Sequence, residues 1–236
     1  MQTLALITGT GSGIGKALAE LLLDKNYKVV GYSRTNQIIH TNFTFTKIDL
    51  SDLVATKKLV FPEATNKADV LLVNNAATIG TIVPFDKKTA TGIINEYQLN
   101  LIAPTLLSQK FISTYKESSK LLINIGSGAA NSPIPSWSTY CATKAGLDML
   151  THVIAEENHE NLTVFSVHPG IVDTNMQKKI RNTKPDLFPL LSKFANYYNN
   201  NELENTETVT KKLYYIIQNF TKFTKNILSI RDVNLK

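Results

Sequence analysis

Tyr140 and Lys144 are the side chains whose types and spacing most directly indicate chemistry. They lie four residues apart in STYCATKAGLDML, a stretch that predicts a helix, so both side chains should share one face. A lysine ammonium beside a phenol favours phenolate and lowers a tyrosine pKa that is ordinarily about 10. The pair therefore predicts a tyrosine that exchanges a proton with a substrate oxygen near neutral pH. The same spacing is also common on helices that have no catalytic role.

Ser127 supports the catalytic interpretation by its place in the chain. It follows LLINIG, an apolar run that predicts a strand buried on both faces. Ligands of open parallel sheets bind at the carboxyl ends of the strands. The Ser127 hydroxyl is therefore predicted to face the same ligand as Tyr140.

A glycine-rich turn, Thr8–Gly15 (TGTGSGIG), lies between the apolar run LALIT and a predicted helix. Glycines allow the backbone to approach a pyrophosphate, and the helix amino terminus then offers N–H groups and a positive dipole end. This context predicts a dinucleotide-binding turn with contacts from Gly9, Ser12, Gly13, Ile14 and Gly15.

The second predicted strand ends in Ser33-Arg34, where NAD-binding sites usually place an acidic residue for the ribose 2′-OH. A hydroxyl and a guanidinium suit a 2′-phosphate instead, which predicts NADPH as cofactor. The alternative interpretation is an exposed loop arginine with no ligand.

Elements that position these residues alternate along the whole chain. Amphipathic stretches predict helices at about Ile14–Lys25, Leu53–Pro62, Gly92–Lys116, Ser138–Asn158 and Thr206–Phe220. Short apolar runs predict seven strands: Leu4–Thr8, Lys28–Tyr32, Phe45–Ile48, Asp69–Asn74, Lys120–Gly126, Leu162–His168 and Asn226–Ile230. This alternation predicts one α/β domain over residues 1–236, with a doubly wound parallel sheet and helices on both faces.

Two segments interrupt the alternation, 77–90 and 173–204. Long insertions at the carboxyl ends of parallel strands tend to be functional, so 173–204 is predicted to be a substrate lid. The alternative is a pair of surface helices that fill a small core of their own.

Composition excludes several classes of protein. Hydrophobic residues make up 43% of the 236 residues, and a single cysteine, Cys141, excludes an internal disulfide and indicates a reducing compartment such as the cytoplasm. No signal peptide or membrane-spanning segment is expected. The net charge of +6 has no dense basic block, so no nucleic-acid partner is predicted. The histidines show no metal-ligand spacing, so no metal is expected. His168, at a strand end before Pro169, is predicted to have a core or surface role, and a place at the edge of the cofactor site is the alternative.

The ordered motifs resemble the short-chain dehydrogenase/reductase family over essentially the whole chain. They comprise the glycine turn, Asp49-Leu50, Asn74-Asn75-Ala76, Asn100, Ser127, the Tyr140/Lys144 pair, and Pro169-Gly170 with Thr174. The resemblance implies strand order 3-2-1-4-5-6-7. Two departures are Ala77, where the family usually has glycine, and Gly126, where many members have a serine.

The resemblance also implies roles for individual residues. Tyr140 is the general acid toward a carbonyl, Lys144 supports it and holds the nicotinamide ribose, Ser127 binds the carbonyl oxygen, and Asn100 supports a proton-relay water. Further implied cofactor contacts are Asp49, Leu50, Asn75, Ala76, Pro169, Gly170, Val172 and Thr174. The long helices 92–116 and 138–158 imply a homodimer or homotetramer.

Within that family, SGAANSPIPSWSTYCATKAGLDM and PGIVDTNMQ resemble the branch of sepiapterin reductases and bacterial benzil reductases. This implies an aromatic ketone, vicinal diketone or pteridine as substrate, with Trp137, Asp173 and Met176 in the substrate pocket. Sepiapterin reductases anchor the pterin with an aspartate where this chain has Ser229, which favours a benzil-like diketone unless Asp232 compensates. A pteridine reductase is the alternative, and a non-catalytic NADPH sensor or scaffold is the alternative of another class.

Overall fold

The computed structural model describes residues 2–64 and 68–235. The strands are β1 (Leu4–Thr8), β2 (Lys28–Ser33), β3 (Phe43–Lys47), β4 (Val70–Asn74), β5 (Lys120–Ile125), β6 (Leu162–His168) and β7 (Ile227–Ser229). The helices are α1 (Gly13–Asp24), α2 (Leu53–Lys58), α3 (Ala90–Tyr97), α4 (Ala103–Thr114), α5 (Ser138–Glu156), α6 (Asn175–Arg181), α7 (Leu191–Asn199) and α8 (Thr206–Gln218). Within the described ranges no helix is long and apolar enough to cross a membrane.

The seven strands form one parallel sheet in the order β3-β2-β1-β4-β5-β6-β7, which confirms the predicted fold class. Alternate residues of the central strands enter two different cores. In β1, Ala5 and Ile7 face the core that α1 and α8 cover, whereas Leu4 and Leu6 face the core that α4 and α5 cover. Burial on both faces explains why these strands are continuous apolar runs rather than alternating ones.

Several predicted boundaries were wrong at the edges of elements. Helix α2 ends at Lys58 rather than at Pro62, β3 covers Phe43–Lys47 rather than Phe45–Ile48, and β7 is shorter than predicted. All three elements are short, and β3 and β7 are the edge strands of the sheet, so the periodicity that predicts each of them extends over few residues.

The predicted helix Gly92–Lys116 contains an interruption that periodicity does not reveal. Residues Gln98–Ile102 form a π-helical turn between α3 and α4. Pro104 lies four residues after Asn100 and has no N–H to donate to the Asn100 carbonyl, so α-helical hydrogen bonding fails at this point. Single π turns occur frequently at functional sites.

The insertion 173–204 folds as α6 and α7, joined by a 3₁₀ turn at Pro185–Leu187. Its two ends are held together because the Asp173 N–H donates to the Glu204 carbonyl at 2.9 Å, and Val172 and Glu204 form an isolated parallel bridge. The insertion is therefore fixed to the sheet at its base and contacts the cleft through its helices.

Candidate active site

A cleft of about 890 Å³ opens at the carboxyl ends of β1, β2, β4, β5 and β6, the edge of the sheet at which ligands of doubly wound proteins bind. The predicted site residues that line it are Gly9, Ser12, Gly13, Ile14, Ser33, Arg34, Asp49, Leu50, Asn75, Ala76, Ser127, Trp137, Tyr140, Lys144, Pro169, Gly170, Val172, Thr174 and Met176. Gly15, Asn100 and Asp173 lie outside this lining, and each is accounted for below.

The glycine turn forms one end of the cleft. Gly9 and Gly13 have φ angles of +77° and +58°, a backbone conformation that favours glycine. A Cβ on Gly15 would lie 2.5 Å from the Gly9 carbonyl oxygen, so Gly15 serves close packing beneath the turn rather than contact with a ligand. Gly13 begins α1, whose free N–H groups therefore lie at the cleft.

Asn75 supports the glycine turn from the neighbouring strand. Its Nδ2 donates to the Thr8 carbonyl at 2.9 Å, and its backbone N–H donates to the Thr8 hydroxyl, also at 2.9 Å. The Ala76 N–H donates to the same hydroxyl at 3.0 Å. The following residue, Ala77, does not have a positive φ angle, which explains why alanine is tolerated where the family usually has glycine.

Two polar residues, Ser33 and Arg34, lie at the end of β2 and differ in their contacts. The Ser33 hydroxyl donates to the Thr35 carbonyl at 2.7 Å and lies 3.2 Å from the Thr10 hydroxyl. Arg34 is exposed and has no acidic partner within 4.0 Å among the described residues. The cleft therefore has an unpaired guanidinium where the 2′-phosphate of NADPH is predicted to lie.

Asp49 lies on the same side of the cleft as Arg34, and its carboxyl group is ionised. Its Oδ1 accepts hydrogen bonds from the Ser51 hydroxyl at 2.6 Å and from the Ser51 N–H at 2.9 Å. These hydrogen bonds, with a smaller contribution from the charge of Arg34, lower the pKa of Asp49 below its ordinary value. An acceptor of this kind suits the exocyclic amine of an adenine.

Tyr140 is buried at the centre of the cleft, and its acidity differs from the prediction. Burial raises the pKa of the Tyr140 phenol, while the neighbouring Ser127 hydroxyl lowers the pKa by less. The Lys144 ammonium lies 5.8 Å from the centre of the Tyr140 ring and donates at 2.7 Å to the Ile125 carbonyl rather than to the phenol. The prediction of a lowered pKa was therefore wrong for this arrangement, because desolvation outweighs the attraction of the lysine.

Lys144 is almost wholly buried one helical turn after Tyr140. Burial lowers the pKa of Lys144 to about 8, and the Asp148 carboxylate opposes this shift. At neutral pH the amine is therefore still mainly an ammonium, and Tyr140 is a neutral phenol. The cleft thus holds a proton donor next to a cation, which suits the protonation of a developing alkoxide.

Asn100 lies behind Tyr140 and Lys144, within the π turn. Its Nδ2 donates to the Thr78 carbonyl and its Oδ1 accepts from the Thr78 N–H, both at 2.8 Å. The same Nδ2 lies 3.4 Å from the Thr143 hydroxyl on α5. The side chain therefore joins the loop after β4 to α5. Its role toward a relay water stays a prediction.

An aromatic cluster closes the other end of the cleft. Trp137 stacks on Phe188 with ring centres 5.6 Å apart, and it packs against Phe194 at 5.0 Å and edge-on to Tyr140 at 5.7 Å. The helical pair of the insertion therefore shares its core with active-site residues instead of filling one of its own. Ser136 has a φ angle of +69° and donates to the Leu187 carbonyl, which ties the loop before Trp137 to the insertion.

Asp173 does not reach the substrate end of the cleft. It is exposed, and its carboxylate lies 3.7 Å from an Arg181 nitrogen within the insertion. The prediction that Asp173 contacts substrate is not supported by this position. Met176, on the first turn of α6, does line the cleft.

Several residues of the cleft carry little signal in the sequence. The sequence favours a core or surface role for His168 over a place at the cofactor site, but this residue lines the cleft from the end of β6, and Gln177 lines it from α6. Phe194, which lines the cleft, and Phe188, which is fully buried against Trp137, appear in the sequence only as apolar residues of a long insertion. Neither charge nor spacing distinguishes these residues before the insertion is placed against α5. Among the described residues no group of His, Cys, Asp and Glu is suited to a metal ion.

Comparisons with known proteins agree with this geometry. Residues 3–185 match the sequence profile of the short chain dehydrogenase family. The chain is 32% identical over 231 residues to a benzil reductase ((S)-benzoin forming) of Bacillus cereus, covering 90% of this chain and 93% of the relative. It is 28% identical over 245 residues to the sepiapterin reductase of Bos taurus, covering 92% and 90%. A short chain dehydrogenase/reductase from Saccharomyces cerevisiae has the same fold, with a TM-score of 0.83, 24% identity, and coverage of 98% and 97%.

Proposed function

The chain belongs to the short-chain dehydrogenase family of nicotinamide-dependent oxidoreductases, and on that premise we propose that it is an NADPH-dependent carbonyl reductase. Its substrate in this proposal is a ketone or vicinal diketone on an aromatic framework. The observation that carries the proposal is the buried, neutral phenol of Tyr140, which lies between the glycine turn and an aromatic wall. A phenol in this form can give a proton to a carbonyl oxygen, as the reductive direction requires.

The residues at the glycine-turn end fit a nicotinamide dinucleotide. A Cβ at Gly9 would lie 2.7 Å from the Asn75 amide nitrogen, so glycine lets the turn pack against Asn75. The free N–H groups at the start of α1 would then bind the pyrophosphate. Asp49 would hold the adenine amine and Arg34 the 2′-phosphate. Pro169, Val172 and Thr174 would frame the carboxamide on the opposite side. When bound, the nicotinamide supplies the hydride.

The protein's own residues supply the proton and the binding of the carbonyl oxygen. Ser127 and Tyr140 would both donate hydrogen bonds to that oxygen, and Tyr140 would transfer its proton to it. The Lys144 ammonium, held by the Ile125 carbonyl, stabilises the phenolate that the transfer leaves behind. Burial excludes water from this group, which strengthens the electrostatic contribution of the ammonium.

The aromatic wall favours a substrate that carries an aromatic ring. Trp137 is only 5% exposed, and Phe188 and Phe194 support it, so it offers a rigid apolar edge next to Tyr140. Similarity to the Bacillus benzil reductase supports a diketone of the benzil type. For a pterin, the last strand provides only Ser229 at the cleft, and Asp232 does not line it. The last strand therefore offers no carboxylate to a pterin at the cleft.

An NADPH oxidation assay over benzil, sepiapterin and simple ketones tests the proposal. We expect turnover with benzil or a related aromatic diketone, and preferential turnover of sepiapterin would instead favour a pteridine reductase. Tyr140→Phe should abolish turnover while NADPH fluorescence still reports binding. Tight NADPH binding without turnover on a broad carbonyl panel would favour a sensor or scaffold and reject the enzyme proposal.

We also propose that the chain forms a homodimer or homotetramer through its long helices. Large apolar side chains are exposed on α3, the π turn and α5, where water would otherwise cover them. They are Ile94, Ile102, Met149 and Val153. Sedimentation velocity should give a dimer or tetramer, and Met149→Glu with Val153→Glu should shift it toward monomer. A monomer in the wild-type protein would contradict this assembly.

A further inference from the structure

A buried polar cluster lies on the side of Lys144 away from Tyr140, and the proposed mechanism does not use it. The Asp148 carboxylate accepts a hydrogen bond from the Ser166 hydroxyl at 2.5 Å and lies 2.8 Å from His168 Nε2. Asp148 is 7% exposed and Ser166 is fully buried. A carboxylate in such surroundings is costly unless it interacts favourably with a charge or with donors.

Helix geometry places Asp148 on the same side of α5 as Lys144, with its carboxylate held by Ser166 and His168 of β6. Asp148 follows Lys144 by four residues on α5, so the two side chains share one face of the helix. Lys144 has no acidic group within 4.0 Å among the described residues, and its ammonium donates to the Ile125 carbonyl. Asp148 acts across a longer distance, in a water-poor region where charges are weakly screened.

Few other ionisable groups surround Lys144. Tyr140 and Asp148 lie on its own helix, and His168 approaches from β6. The loop after β5 and the π turn contribute the neutral groups Ser127 and Asn100. The buried pair Lys88–Glu96, with Nζ and Oε2 2.6 Å apart, contacts α5 at Thr139, the residue before Tyr140, and compensates its own charge. Asp148 is therefore the acidic group that bears on the catalytic amine.

Gly126 lies directly against this cluster, where only a glycine leaves room for it. A Cβ at Gly126 would lie 2.4 Å from the Ser166 hydroxyl oxygen and 2.5 Å from His168 Cδ2. The space that a serine side chain would occupy before Ser127 is therefore filled by the partners of Asp148. The partners of Asp148 in their observed positions therefore require glycine at 126.

We propose that Asp148 is a positioning residue for the reaction, which keeps Lys144 in its ammonium form while His168 and Ser166 hold the carboxylate in place. This proposal rests on the proposed reductase function. The negative charge of Asp148 raises the pKa of Lys144 and so opposes the lowering that burial causes. Loss of that charge should therefore let the amine lose its proton at lower pH.

The decisive measurement is the pH dependence of kcat/KM in Asp148→Asn, from about pH 6 to pH 10. We expect the alkaline limb to move to lower pH by roughly one unit, the size typical of one nearby charge. Glu156→Gln is the matched control, since it removes an exposed carboxylate from the end of the same helix and should leave the limb in place. A limb that does not move in a folded Asp148→Asn protein would overturn the proposal.

A second pair of variants covers the case in which Asp148→Asn does not fold. His168→Phe removes the donor to Asp148, whereas His168→Gln retains an N–H donor. We expect the limb to move to lower pH in His168→Phe and to remain at its wild-type position in His168→Gln. Wild-type limbs in both variants would show that His168 does not hold the Asp148 carboxylate in the position that the proposal requires.

Direct titration of Lys144 separates this proposal from the reductase proposal. Lysines labelled with ¹³C at Cε report their own protonation by NMR, and loss of one signal in Lys144→Arg assigns the signal of Lys144. A lower titration midpoint in Asp148→Asn, in the absence of any carbonyl substrate, supports the role of Asp148 even if the chain reduces none of the ketones tested. An unchanged midpoint rejects it whatever the assay for turnover shows.

Discussion

Arg34 should determine the choice between NADPH and NADH. The guanidinium is exposed at the cleft, without an acidic partner within 4.0 Å among the described residues, and Ser33 beside it is already bonded to Thr35. Arg34→Ala therefore removes the cation predicted to meet the 2′-phosphate without leaving a buried charge unpaired. The loop that carries Arg34 and the glycine turn should keep its conformation.

The expected magnitude follows from the exposure of Arg34. Hydrogen bonds to charged groups contribute about 1.5–3 kcal/mol, and screening at an exposed site reduces this to about 1–2 kcal/mol. Since about 1.4 kcal/mol corresponds to tenfold, kcat/KM for NADPH should fall roughly 5- to 30-fold, mainly through KM. NADH has no 2′-phosphate, so its kcat/KM should stay nearly constant.

Steady-state kinetics with both cofactors on one enzyme preparation measure this effect as a ratio, which cancels differences in active fraction. Lys28→Ala is the matched control, because Lys28 is an exposed cation at the opposite end of the same strand. Added salt should also weaken NADPH more than NADH in the wild type and much less so in Arg34→Ala. Equal losses for both cofactors, or no loss for either, would refute the assignment of Arg34 to the 2′-phosphate.

Three further predictions test the rest of the site. Because burial lowers the pKa of Lys144 to about 8, the amine is charged below that pH, and wild-type kcat/KM for reduction should fall as the pH rises through about 8; a flat profile up to pH 10 would contradict this. Trp137→Leu should lower kcat/KM for an aromatic diketone about 3- to 10-fold more than for 2,3-butanedione, since aromatic contacts contribute about 0.5–1.5 kcal/mol; equal losses would exclude the aromatic wall as a specificity element. Gly126→Ala should destabilise the fold by about 1–3 kcal/mol in thermal denaturation, whereas Gly128→Ala, whose Cβ would meet nothing within 4 Å, should not; equal stabilities would show that the space beneath Gly126 is not filled.

Local patterns in the sequence were sufficient for the fold class, the glycine turn, Ser127 and the Tyr140–Lys144 pair, whereas the strand order and most of the other cofactor contacts were implied by the resemblance to the family. Apolar runs covered on both faces predict strands of a parallel sheet, and alternation with amphipathic helices then restricts the topology. The carboxyl ends of such strands meet at one edge, so Gly9, Ser33, Asn75 and Ser127 had to lie close together once the sheet was correct. The Tyr140–Lys144 pair needed only the periodicity of a helix.

Only the tertiary structure determines the pKa values and side-chain contacts that depend on residues distant in the sequence. The acidity of Tyr140 follows from burial beneath the insertion and from the bond of Lys144 to the Ile125 carbonyl, and neither is visible in a four-residue spacing. The exclusion of Asp173 from the cleft and the supporting role of Asn75 likewise depend on contacts between separate elements. Spacing along the chain determines which residues can share a face, whereas desolvation and partner choice are set by the atoms that other parts of the chain bring against them.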